Sequence, residues 1–166
     1  MKALLALADA DGTRFLLLGA HAGLRISELI GLRWAYIDLQ KRVMVVTGKG
    51  RKTATVHLTR PLVESLQLVS EGEREGQVLA WENPKTVRLV LRSLCSRAGV
   101  KYAKRQVHGL RHSAATLLLD QCGNIFVVAR HMRHSSISIT ETYAKMSSMK
   151  LTDALASWDA ADDAAD

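Results

Sequence analysis

Two arginines, two histidines, a lysine between glycines and a late tyrosine are the residues of this chain whose types and order suit chemistry on a phosphodiester. Tyr143 lies nine positions after His134, upstream stand His108-Gly109-Leu110-Arg111, and Arg25 sits within Ala22-Gly23-Leu24-Arg25-Ile26-Ser27-Glu28-Leu29. Charge that builds on phosphoryl oxygens needs fixed cations, and the attack needs a nucleophile, for which a phenol can serve. The order and spacing carry this reading, because each residue alone has an ordinary one.

Arg25 can be a surface arginine paired with Glu28 three residues on. His108 and Arg111, at helical i, i+3 spacing, can grip one anionic group, or can be a helix-start histidine and a solvated arginine. His112 is expected to point elsewhere on that helix and reads as structural. Lys49, flanked by Gly48 and Gly50, is either a routine turn lysine or part of a cationic finger with Arg51 and Lys52, its glycines permitting close approach to a ligand. Tyr143 can equally be a half-buried helix aromatic. His131 and His134 also have helical spacing, but without a nearby carboxylate or thiolate they make an incomplete zinc site, and no metal is assigned.

The elements that must position these residues follow from periodicity and punctuation. Helical spacing of Leu and Ala covers residues 2–9 and 13–22, separated by the turn-prone Asp9-Ala10-Asp11-Gly12. Gly23 ends the second helix, and Ser27 with Glu28 marks a short helix through Leu32. The period then changes: residues 43–47 and 53–58 read as strands joined by the hairpin loop Gly48-Lys49-Gly50-Arg51-Lys52, with Ile37-Asp38-Leu39 as a third strand before them. Thr59 begins a helix with Pro61 in its first turn, running to about Val69. Residues 71–77 form a charged loop, and Val78-Leu79 a brief extended piece. Asn83-Pro84 opens a helix to Arg97 that Gly99 ends. Further helices are expected over residues 108–121, stopped by Gly123, and over 125–132, 136–145 and 149–157. The fold class is mainly α with a small antiparallel β-sheet (α+β).

Composition agrees with a protein that meets a polyanion. The 166 residues suffice for one domain with a core. Five of the 16 acids (Asp153, Asp159, Asp162, Asp163 and Asp166) lie beyond residue 150, so residues 1–150 set 23 basic against 11 acidic side chains. That surplus of twelve favours nucleic acid as partner. The alanine-rich end, residues 159–166, is expected to be an acidic, disordered tail. Two cysteines exclude a disulfide scaffold and a Cys-rich zinc site, and point to the reducing cytoplasm. The apolar start breaks at Asp9 and Asp11, too early for a signal peptide. No segment approaches the roughly 20 apolar residues that cross a bilayer, so no membrane partner is expected.

Together these pieces resemble the catalytic domain of the tyrosine recombinases, the phage integrase family, over roughly residues 13–157. Residues 22–34, Ala-Gly-Leu-Arg-Ile-Ser-Glu-Leu-Ile-Gly-Leu-Arg-Trp, resemble the family's first box, and residues 48–52 its β-hairpin lysine segment. His108-Gly109-Leu110-Arg111-His112-Ser113-Ala114-Ala115-Thr116 resembles the second box, and residues 134–144 the terminal His…Tyr segment. Arg25 to Lys49 is 24 positions and Arg111 to Tyr143 is 32, both typical of the family.

The resemblance implies a site-specific recombinase fold and activity on double-stranded DNA, with a tetramer on DNA in the full-length protein and possible monomers of the isolated domain. Tyr143 would attack the scissile phosphate to give a 3′-phosphotyrosyl bond and a 5′-hydroxyl. Arg25, Arg111 and His134 would contact the phosphoryl oxygens, His108 would assist proton transfer at the tyrosine, and Lys49 would protonate the leaving oxygen. Glu28 would orient the site from behind. Arg51, Lys52, Lys101, Lys104, Arg105 and Arg133 are candidate DNA-backbone contacts. No cofactor is implied, since the bond energy stays in the phosphotyrosyl link, and the sequence offers no acidic cluster for Mg²⁺. The boundaries expected are a catalytic domain over residues 1–158 and the tail beyond it, without the N-terminal core-binding domain usual in the family, as in an excised domain.

Two departures stand out. The family usually has glycine directly before its late histidine, where this chain has Arg133; a positive φ there would be strained, or the turn rebuilt. The segment from Met149, with Leu151, Leu155 and Trp158, can dock on its own domain or on a neighbouring subunit. Rival readings are a type IB topoisomerase, a DNA-binding module that no longer cleaves, and a plain basic helical protein.

Overall fold

A computed structural model describes residues 1–48, 50, 52–103 and 106–133; the helices expected over residues 136–145 and 149–157 and the tail lie outside the described residues. The chain divides into two compact units, residues 1–114 and 115–166.

In the first unit α1 spans Lys2–Leu5 and α2 spans Ala10–Ala20. The sequence suggested a longer α1, and a turn where α2 in fact begins. Asp9 decides this: its carboxylate accepts the Gly12 N–H at 2.7 Å, so the polar Asp9-Ala10-Asp11-Gly12 run becomes the first turn of the helix. After α3 (Ile26–Gly31) and a 3₁₀ turn (Trp34–Tyr36) come β1 (Ile37–Asp38), β2 (Val43–Thr47) and β3 (Thr53–His57). They form an antiparallel sheet in the order β1-β2-β3, with Met44 opposite Val56 and Val46 opposite Ala54. Met44, Val46 and Val56 are buried while Val45, Thr55 and His57 are exposed, the alternation of a sheet with one face on the core.

The sheet is followed by α4 (Arg60–Gln67), α5 (Pro84–Arg97) and α6 (Gln106–Cys122). Between α4 and α5 the charged loop contains a 3₁₀ turn at Glu71–Glu73. The extended piece expected at Val78-Leu79 is buried, but it pairs only through single contacts: Val78 N–H to Leu32 C=O and Trp34 N–H to Gly76 C=O, each 3.0 Å. One core runs through this unit, holding Phe15, Leu16, Leu18, Leu29, Met44, Leu62, Leu79 and Leu91. Helix α5 shows how its part is specified: Val87, Leu91, Leu94 and Cys95 turn inward at helical spacing.

Helices α2 and α6 approach closely at Gly19. A Cβ there would stand 2.9 Å from Leu110 Cδ1 and 3.0 Å from Leu110 Cβ, closer than packed carbons tolerate. In the second unit, α7 (Ile125–Met132) follows the end of α6 at Gly123, and Asn124 caps it by accepting the N–H groups of Phe126 and Val127 at 2.9 and 3.3 Å. No helix among the described residues is long and apolar enough to cross a membrane.

The close approach at Gly19 yields a stability prediction. Gly19→Ala gains helix propensity of about 1 kcal/mol, but overpacking against the Leu110 Cβ costs about 1–3 kcal/mol. Urea denaturation should show net destabilisation, and an unchanged or raised midpoint would refute the packing argument.

Candidate active site

The site is built around the turn between α2 and α3. Gly23 adopts φ +60°, a left-handed conformation that glycine reaches without strain. The chain then extends through Arg25 (φ −74°, ψ 158°), which occupies the N-cap of α3. The helix therefore starts at Ile26, one residue before the Ser27-Glu28 signal. An arginine has no acceptor to cap with, so the helix start is served from the other side. Glu28 reaches back, its Oε2 accepting the Arg25 N–H at 2.8 Å and its Oε1 the Arg25 Nη1 at 3.0 Å.

This clamp has a buried and an open side. The Glu28 side chain is 1% exposed and the Arg25 side chain 39%, so the carboxylate sits behind a guanidinium that still faces solvent. The hairpin runs against the same carboxylate: Glu28 Oε1 is 3.5 Å from the place a Cβ on Gly48 would take. Gly48 N–H donates to Lys52 C=O at 2.8 Å, closing the hairpin at that end. The loop that carries Lys49 thus leaves the sheet beside the Arg25–Glu28 pair.

Arg111 reaches the turn from α6. It is 2% exposed, and its Nη1 donates to the Gly23 carbonyl oxygen. The two guanidiniums singled out in the sequence, 86 positions apart, are therefore anchored within one short turn, Arg111 on the carbonyl two residues before Arg25. The turn is itself pinned: His21 Nδ1 and Thr59 Oγ1 share a hydrogen bond of 2.8 Å, and burial holds the imidazole below the ordinary histidine range.

Of the other candidates, His108 is exposed on α6, as are Lys52 and Lys101 on their loops. His112 does not point away from His108 as the sequence suggested. One helical turn apart, the two rings pack edge to face with centroids 5.4 Å apart, and His112 is exposed. In the second unit, Arg133 ends α7 at φ 54°, ψ 43°, a left-handed conformation; of the two alternatives the sequence left open, the strained turn is the one found. Its Nη1 donates to the His131 carbonyl at 3.0 Å. Lys49, Arg51, Lys104, Arg105, His134 and Tyr143 lie outside the described residues.

One feature escaped the sequence reading. Helix α5 carries Lys85, Arg88, Arg92 and Arg97 and no acid. Lys85, Arg88 and Arg92, at i, i+3 and i+7, are exposed on one stripe. The signal was in the sequence as a helical period of charge, which the attention to apolar periodicity passed over.

Residues 2–149 match the model of the phage integrase family. A tyrosine recombinase XerA of Thermococcus onnurineus is 33% identical over 149 residues, covering 82% of this chain and 51% of the relative. The integrase of mycobacterium phage Brujita superposes with a TM-score of 0.71 at 32% identity, over 80% of this chain and 46% of that one. The catalytic domain of bacteriophage HP1 integrase, at 24% identity, shares the fold with a TM-score of 0.70 over 90% of this chain and 89% of that one. The chain spans about half the length of the XerA relatives it matches. With the arginine turn, the hairpin beside it and a family match over nearly its whole length, the chain belongs to the phage integrase family.

Proposed function

We propose that this chain is the catalytic domain of a tyrosine-type site-specific recombinase, which cuts and rejoins double-stranded DNA through a 3′-phosphotyrosyl link. The observation that carries the reading is the shared anchoring of Arg25 and Arg111 on one turn, with the base of the lysine hairpin against Glu28. Two guanidiniums fixed in advance can take up the charge that develops on a phosphorane-like centre without reorganising at the moment of reaction. Tyr143 is assigned the attack on phosphorus; the bond from phosphorus to the 5′-oxygen breaks, and Lys49 supplies the proton to that oxygen. His108 is assigned proton transfer at the tyrosine, and His134 a hydrogen bond to the phosphoryl group.

DNA-backbone contacts are assigned to Arg51, Lys52, Lys101, Lys104, Arg105 and Arg133, and the basic stripe of α5 extends them. Family membership also supports assembly as a tetramer on DNA by the full-length protein, acting in the cytoplasm. Residues 1–158 are assigned to the catalytic domain, of which residues 2–149 match the family model.

A suicide DNA substrate, in which the cleaved strand cannot religate, tests the assignment. The parent chain should form a covalent adduct that Tyr143→Phe abolishes; an adduct that persists, formed through Tyr36 or Tyr102, would refute it. Arg25→Ala should slow adduct formation by about 3 kcal/mol, on the order of a hundredfold, as for loss of an oxyanion donor. Arg111→Lys, which keeps charge but loses the fork, should also be slow.

Glu28→Gln separates positioning from folding. Its charge-assisted bonds to Arg25 weaken by about 1–2 kcal/mol, so cleavage should fall about tenfold. Gln keeps an oxygen for the Arg25 N–H, and the Arg25 side chain, 39% exposed, can be resolvated by water, so the melting temperature should fall only slightly. A melting temperature that collapses along with cleavage would make Glu28 structural only. Arg133→Gly relieves the left-handed strain, worth about 1 kcal/mol, and should raise stability. If Arg133 touches a phosphate, the same change weakens DNA binding and lowers the salt slope by about 0.9; an unchanged slope removes it from the interface.

A further inference from the structure

Helix α6 carries a second exposed imidazole that the assigned chemistry does not use. His108 and His112 stand one turn apart, both exposed, and the edge of one ring meets the face of the other at 78° with centroids 5.4 Å apart. The pair flanks the buried face of α6, where Val107, Leu110, Arg111 and Ala114 turn inward. At about 100° per residue, His108 lies about 60° around the axis from Arg111 and His112 about 100°. His112 is the outer of the two.

The outer ring is placed to act on the inner one. Helical side chains lean toward the N-terminus, so His112 falls over the turn that carries His108. Because α6 starts at Gln106, His108 has no earlier turn of this helix beneath it. An exposed imidazole in a first turn otherwise divides its time among staggered side-chain conformations. Edge-to-face packing at this separation favours one arrangement by roughly two- to tenfold. We propose that His112 is a positioning residue of the strand-transfer reaction, its ring holding the His108 imidazole in the orientation that proton transfer with Tyr143 requires. The proposal rests on the assignment of His108 made above. His112 acts through that ring and takes no part in the proton transfer itself.

A double-mutant cycle on the suicide substrate tests this, read as single-turnover cleavage at saturating DNA. His112→Ala should slow cleavage by about two- to tenfold, and His112→Phe, which keeps a ring but neither nitrogen, should restore the rate. Added to His108→Ala, His112→Ala should cost nothing more. DNA affinity and melting temperature should stay at the parent's values in both His112 variants. A parent-like rate in His112→Ala, an additive loss in the double variant, or no recovery with phenylalanine would overturn the proposal. So would weaker DNA binding by His112→Ala, which would make the residue a DNA contact. His108→Ala cleaving as fast as the parent would sink the assignment of His108 and this proposal with it; a slow His108→Ala beside a fast His112→Ala sinks this proposal alone. A second readout needs no cleavage: the Hα–Hβ NMR couplings of His108 should report one side-chain conformation in the parent and in His112→Phe, and an average in His112→Ala. Identical couplings in all three would also overturn it.

Discussion

The site depends on one constraint, the bond from the buried Arg111 guanidinium to the Gly23 carbonyl. A buried cation is costly unless its donors are satisfied, so this bond fixes where α6 lies against the turn after α2. Gly19 makes the approach possible, because a side chain there would meet Leu110, the residue next to Arg111. Gly23 makes the bond possible, because its positive φ turns the backbone to present the carbonyl. Two glycines four residues apart thereby do different work: one removes bulk between helices, and the other redirects the chain.

Glu28 is the second fixed point, and it links elements that share no sequence signal. It holds the backbone and the side chain of Arg25 from within α3 and faces Gly48 at the end of β2. A capping box usually pairs a serine or threonine with such a glutamate. Here an arginine stands at the cap, so only the glutamate's half of the exchange is made, and the freed half is a cation that faces outward. Local helix chemistry has been adapted to carry a functional group.

Much of this was legible in the residues. The hairpin strands matched to within a residue at one end, since β-branched alternation around a Gly-Lys-Gly loop leaves few other folds. α5 was marked by Asn83-Pro84 at its start and Gly99 past its end, and α7 occupies the span expected for it after Gly123. The misses have physical causes. Asp9 can open a turn or cap a helix with the same side chain, and only the packing of Phe15 and Leu16 beyond it decides. The start of α3 moved because the cap is supplied from three residues downstream. His112 was misplaced because i, i+4 neighbours share a face as surely as i, i+3 neighbours do. The Gly23–Arg111 bond joins residues 88 apart, and no local pattern encodes such a contact.

The two inner guanidiniums are held in place within the fold. Arg25 shares its charge with Glu28, and Arg111 is turned onto a carbonyl and hidden from solvent. The Arg25 charge is offset by its carboxylate, whereas the carbonyl orients Arg111 and leaves its charge in place. On the proposed function, long-range attraction of DNA is helped by the exposed row of Lys85, Arg88 and Arg92 on α5, which has no ion pair among the described residues. On that reading the exposed row serves encounter and the anchored pair serves chemistry, so that added salt should slow the encounter far more than it disturbs the arginine turn.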